Sequence, residues 1–275
     1  ARAYNGGLLV NNSNITLNRK FFAGRNYNGN AASRYSTESC GIKALNSTLN
    51  LSSDNGVYST GKDAVFACYQ HHYGIELRNS TITGGSTDAE LKVCYSMSAG
   101  IRMVNSNIDM DGTLDVYSNR VGIDSKDSEL TFDKFVCQYN QEAGIRARNS
   151  HIYYGKNTFD AAGASYSETF SFDAISYIYG CSFFGNGKHL DLVNSFYEPV
   201  KRQDMEGTHR NNIFYGCNGS KLNLNGTLAG QSGIVLKNSK ATFLNTYMAQ
   251  GPTTSTAETI NSLAYNSLPS VSTST

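Results

Sequence analysis

Gly41-Ile42-Lys43-Ala44-Leu45-Asn46-Ser47-Thr48-Leu49 decides the fold, because the chain repeats its pattern many times. The shared phrase is Gly, an aliphatic residue, three variable positions, Asn, Ser, one variable position, then Ile or Leu. It returns at Gly74–Ile82, Gly100–Ile108, Gly122–Leu130 (with Asp127 in place of Asn) and Gly144–Ile152. Weaker copies begin at Gly7, His189 and Gly233. Start-to-start steps are 34, 33, 26, 22, 22, 45 and 44 residues. The last two are near twice 22, so each gap holds a degenerate copy, one of them around Gly163. The steps of 33 and 34 are one copy carrying an inserted loop. A fixed step of this size marks a stacked repeat architecture.

Within a copy the residues alternate with period two, the signature of strands. Ile42, Ile75, Ile101, Ile123, Ile145, Leu190 and Ile234 face inward. So do Ala44, Leu77, Met103, Ser125, Ala147, Leu192 and Leu236, two residues further on. Asn-Ser then breaks the strand, since short polar side chains bond nearby backbone at bends. A second strand follows, as in Thr81-Ile82-Thr83. A third precedes the next Gly, as in Leu91-Lys92-Val93-Cys94 and Phe135-Val136-Cys137. Three short strands and three bends in about 22 residues describe one rung of a parallel β-helix, each rung pairing with its neighbours about 4.8 Å away. The Asn residues are expected to form an interior amide ladder. That ladder also accounts for sequons such as Asn46-Ser47-Thr48, so they are not read as glycosylation sites. Lys43, Glu76, Arg102, Asp124 and Arg146 alternate in sign on the outer face, a surface ladder that helps fix register.

The composition agrees. The 275 residues include 29 Asn, 26 Gly, 18 Tyr, 13 Phe, 3 Pro and no Trp, with 39% apolar and 16% charged residues. The aromatic content can supply a core, which argues against disorder, and the Asn, Gly and Tyr content argues against a helical bundle. A net charge of +1 provides no global field for nucleic acid. No apolar run is long enough to span a bilayer as a helix. The start at Ala1-Arg2-Ala3 reads as a trimmed product or excised domain. Six cysteines lack a CxxC pair, and Cys68, Cys94 and Cys137 read as one interior stack of buried free thiols. His71-His72 lacks a third ligand at metal spacing, and no phosphate loop appears, so neither metal nor cofactor is expected.

Gly-Ile-x-x-x-Asn-Ser-x-Ile at this spacing resembles right-handed, single-stranded parallel β-helix proteins of the pectin-lyase-like class. The Asn-, Gly- and Ser-rich wording is most similar to phage tail fibres and tailspikes. The resemblance runs from about residue 7 to 248 and implies an all-β fold of roughly 9–11 rungs. It also implies a homotrimer in the virion tail, in contact with other tail proteins and with host surface polysaccharide. No catalytic motif of that class matches, so no catalytic residue is carried over. The expected organisation is a β-helix over 1–248, with excursions at 18–40, 52–63 and 198–210, and a Ser/Thr-rich tail or linker over 249–275.

Function is expected in the excursions. Arg19, Lys20, Arg25, Tyr27, Arg34 and Tyr35 in the first combine cations and aromatics suited to an acidic sugar chain. The third is the densest polar cluster, and its Arg202, Asp204, Glu206 and His209 are the candidates for glycoside cleavage or elimination. Tyr153, Tyr154, Phe159, Tyr166, Phe170, Phe172, Tyr177, Tyr179, Phe183 and Phe184 read as core or subunit interface. The leading expectation is a non-catalytic virion protein that recognises a host glycan. The alternatives are a polysaccharide depolymerase and a bacterial surface adhesin.

Overall fold

The computed structural model describes residues 6–18, 21–24, 40–52, 64–69, 71–84, 89–155, 181–200, 212–215, 234–249 and 258–266. These residues form strands and bends, with no helix among them. The first strand of each repeat copy joins one eight-stranded parallel sheet. Its order is Gly6–Asn11, Cys40–Leu45, Tyr73–Arg78, Ala99–Val104, Val121–Lys126, Ala143–Arg148, Leu190–Val193 and Ile234–Lys237. Strands after the Asn-Ser bend join a second, 14-stranded sheet. In two copies the second and third strands are continuous, as Asn107–Tyr117 and Glu129–Gln138, with a register irregularity after Met110. Within 249–275, Glu258–Asn266 pairs antiparallel with Lys240–Ala249.

Register follows the repeat. Ile42, Ile75, Ile101, Ile123, Ile145 and Leu190 are paired in succession across the first sheet. Ile145 pairs directly with Leu190, and Leu190 with Ile234, so the 45- and 44-residue steps are single copies with long insertions. The degenerate copies expected there, one of them around Gly163, are overturned, and eight copies rather than 9–11 stack in this sheet. The six side chains from Ile42 to Leu190 are at most 1% exposed, and Ala44, Leu77, Met103, Ser125, Ala147 and Leu192 are buried beside them. Each such aliphatic side chain contributes about 1.5–3 kcal/mol on burial, and only if the neighbouring strands are in place. Ile234 and Leu236 at the last copy are partly buried. The repeat glycine is required by close approach. A Cβ on Gly100 would lie 2.7 Å from the Gly122 carbonyl oxygen and 2.8 Å from the Asn119 amide nitrogen.

That amide belongs to a ladder that the sequence reading did not place. Asn119, Asn140 and Asn186 precede the repeat start by three or four residues and are fully buried. The Asn119 N–H donates to Asn140 Oδ1 at 3.1 Å, and the Asn140 N–H donates to Asn186 Oδ1 at 3.0 Å. Their Nδ2 groups donate to the buried carbonyls of Val93, Val116 and Cys137. His189, buried in the repeat-glycine position, lies with Nδ1 3.4 Å from Asn186 Nδ2. Burial lowers its pKa to about 3, so the ring is neutral.

The cysteines do not form the single interior stack expected of them. Cys94 and Cys137 are buried and free, with burial pushing both thiols up, that of Cys94 to about 12. They do not share a row. Cys68 pairs with Val93, and Cys137 with Val116. Cys94 pairs with Tyr69 and Tyr117, one position along. Counting back from the glycine misplaced it, because the intervening bend varies in length.

The charge row holds and extends: Lys43, Glu76, Arg102, Asp124, Arg146 and Asp191 are successive partners. Glu76 is nevertheless buried, at 3% exposed. Its burial acts to raise the carboxyl pKa, but hydrogen bonds from Arg78 and Lys43 outweigh that and hold it below the ordinary range. Arg78 approaches at 2.7 Å and Lys43 at 3.2 Å. Arg102 instead donates to the Tyr73 hydroxyl at 2.6 Å.

Candidate functional site

The Asn-Ser bend assigns opposite duties to its two residues. Asn12, Asn46, Asn79, Asn105, Asp127, Asn149, Asn194 and Asn238 all adopt positive φ, between 47° and 50°. Asn and Asp tolerate this left-handed region better than other residues with a Cβ. The following Ser turns inward. Its hydroxyl donates to the carbonyl two residues back and accepts the N–H of the Ser in the preceding copy. This chain runs unbroken through Ser13, Ser47, Ser80, Ser106, Ser128, Ser150, Ser195 and Ser239. Serine is therefore the interior ladder at this bend, and the asparagines are exposed. The expectation of an interior Asn ladder here is overturned, because positive φ aims the Asn side chain outward.

The exposed amides have a direction. Asn79 Nδ2 donates to Asn46 Oδ1 at 3.0 Å, and Asn46 Nδ2 to Asn12 Oδ1 at 3.1 Å. Further along, Asn194 Nδ2 donates to Asn149 Oδ1 at 3.2 Å, and Asn149 Nδ2 to Asp127 Oδ1 at 3.0 Å. Among the described residues no such bond joins Asn105 to either side. On the Asp127 side the reason is chemical, since a carboxylate has no N–H to donate to Asn105 Oδ1; the open step between Asn105 and Asn79 has no such explanation.

An open groove of about 690 Å³ lies along this interruption. One wall is Asn79, Asn105, Asp127 and Asn149; the inward serines form its floor. The other wall is the variable residue after Asn-Ser: Thr81, Asn107, Glu129 and His151, which are successive strand partners. Asn107 Oδ1 is buried and accepts no hydrogen bond among the described residues. The same column continues to Phe196, paired with His151. Phe196 is 37% exposed, and its ring meets the His151 ring edge-on at 4.6 Å between centroids. Tyr153 adds a third ring, its hydroxyl 2.9 Å from His151 Nδ1. Burial raises the Tyr153 pKa, and Glu129 and Glu198 reinforce this. The groove thus offers hydrogen-bonding groups at strand spacing and ends at aromatic rings.

Arg19, Lys20, Arg25, Tyr27, Arg34 and Tyr35 lie outside the described residues, as do Arg202, Asp204, Glu206 and His209. From the aromatic stretch, Tyr154 and Phe183 are buried and Tyr153 and Phe184 partly so; the remainder, 159–179, also lies outside. The groove residues were in the sequence as one column, the position between Asn-Ser and the next aliphatic residue. Thr81, Asn107, Glu129, His151 and Phe196 vary there without an apolar requirement, which marks a surface free to carry specificity. No family model, curated protein or solved structure matches this chain.

Proposed function

We propose that the chain is a right-handed parallel β-helix of about 22 residues per rung that recognises a host-surface glycan, in the manner of a virion tail fibre or tailspike. Support for the coil comes from the repeat, the two parallel sheets in repeat register and the serine chain linking every copy. The open groove from Asn79 to His151, with Phe196 and Tyr153 against its His151 end, carries the functional reading. Extended polysaccharides present hydroxyls at regular intervals and apolar ring faces, which match a ladder of amides and hydroxyls beside exposed aromatic rings. Other tail proteins and further copies of this chain are the partners proposed with it, and the virion tail is the proposed location.

The test is a screen of the full chain against capsular, lipopolysaccharide and simple oligosaccharide panels. Binding that falls about two- to tenfold in Phe196→Ala is expected, since loss of a stacking ring costs about 0.5–1.5 kcal/mol. Failure of every glycan to bind, in protein shown to be folded, overturns the reading.

A further inference from the structure

We infer that the outer face of the first sheet holds an anionic glycan, one bearing carboxylate or phosphate groups, along a row of cations beside the groove. The inference rests on the glycan reading above and names the charge of its ligand. The two sheets differ in sign. Strands of the first carry seven cations and three carboxylates, and those of the second three cations and eight carboxylates. A net charge of +1 therefore divides into a basic face and an acidic one.

Two outward rows run side by side on the basic face. One alternates in sign from Lys43 to Asp191, as sheet stability favours. The other, two residues further along each strand, is Arg78, Val104, Lys126, Arg148, Val193 and Lys237 in succession. Every charge in this second row is positive. Lys126 and Arg148 are direct partners, a placement of like charges that weakens a sheet. Lys126 and Lys237 are exposed and make no ion pair among the described residues. The neighbouring carboxylates are too few for the other cations. Glu76 is shared by Lys43 and Arg78, Glu142 by Arg120 and Arg146, and Asp191 by Arg146, Arg148 and Lys188. Three carboxylates thus face six cations, and the surplus positive charge suits an anionic ligand.

The row also borders the groove. Asn79, Asp127 and Asn149 directly follow Arg78, Lys126 and Arg148 in the chain and form the near wall. Asp127 and Glu129 repel anionic groups from the groove itself and turn them toward the cations, while sugar hydroxyls meet the amides. Copies about 4.8 Å apart set these cations at intervals along one line, which suits charges repeated along a linear polymer. Val104 and Val193, not aromatic rings, stand between the charges, so the row offers nucleic-acid bases no stacking platform.

Calorimetric titration of the full chain at low salt tests this with oligogalacturonate, phosphomannan, fully methyl-esterified oligogalacturonate and oligothymidylate. At least one of the two anionic glycans is expected to bind at least about tenfold more tightly than the ester. That advantage should shrink at physiological salt. Lys126→Gln should weaken anionic binding about two- to fivefold, and Lys126→Gln with Lys237→Gln about tenfold. Neither change should lower the melting temperature, because no ion pair is lost and the repulsion from Arg148 is relieved. Lys134→Gln, on the second sheet, should leave binding unchanged. An ester that binds as tightly as both anionic glycans overturns the inference and leaves the glycan reading intact. So does an unchanged affinity in the double variant, or an equal loss in Lys134→Gln. Oligothymidylate binding more tightly than either glycan replaces the anionic glycan with a nucleic acid and overturns the inference too. Silence from all four probes and the wider panels removes both readings.

Discussion

Two amide ladders run along this molecule, and their environments differ completely. Asn119, Asn140 and Asn186 are buried, each satisfying backbone groups of the neighbouring copy. Asn46, Asn79 and Asn149 are exposed: Asn79 donates to Asn46 and Asn46 to Asn12, while Asn149 donates to Asp127 and accepts from Asn194. In the first, every lone pair has a backbone consequence, so a substitution is paid for in stability. In the second, water can replace any partner, so the ladder tolerates Asp127 and the opening beside it. Burial makes one ladder structural, and exposure leaves the other open to acquire specificity.

The comparison breaks most sharply at Asn140. Replacing it by Leu removes the acceptor for the Asn119 N–H and the Nδ2 donor to Val116 O, at 3.1 Å each. Unsatisfied buried groups cost about 1–3 kcal/mol apiece, so a loss of about 3–5 kcal/mol is expected in urea unfolding. A loss below about 1 kcal/mol would mean that the buried ladder is not structural.

His189 sharpens the same contrast through pH. Its folded pKa, about 3, lies below the ordinary 6.5 because burial penalises the imidazolium. Below 6.5 the unfolded chain therefore binds a proton that the folded chain refuses. Stability is complete above 6.5 and falls as pH drops toward 3, by about 1.4 kcal/mol per unit once the unfolded ring is protonated. Between pH 6.5 and 5, wild type should lose roughly 1–2 kcal/mol more than His189→Gln. Other histidines titrate in both proteins, so the difference isolates this ring. Parallel pH curves for the two would refute the assignment.

How much of this was legible depends on which positions the repeat constrains. Ile101 and Ile123 announce themselves because period-two alternation and a fixed step leave one face for them. The Asn-Ser bend was legible as a bend, but its facing was read backwards. Composition suggests that a repeated amide is interior; only the φ near 48° at Asn46 shows that Asn points out and Ser in. Asn119, Asn140 and Asn186 were missed because their offsets from the repeat start differ by one residue. The groove was hidden differently: its residues are variable, and Thr81, Asn107, Glu129 and His151 share no chemistry that a motif would show. Charged excursions stand out in a sequence by their composition, whereas the candidate groove lies on the regular face, where nothing in composition marks it.

The smallest expected effect separates the two reasons for Asn at the exposed bend. Asn46 holds a φ of 48° and contributes an amide to a solvent-exposed ladder. Asn46→Ala loses the amide and places a less tolerant residue at positive φ, for which about 1 kcal/mol is expected. Asn46→Gly also loses the amide but adopts positive φ without steric cost, at the expense of unfolded-state entropy of about 0.5–1 kcal/mol. If backbone conformation is what the bend requires, Gly should be no worse than Ala, and both should cost far less than Asn140→Leu. If Gly costs more than about 2 kcal/mol, the exposed amide bonds hold the copies together, and the distinction between the two ladders collapses.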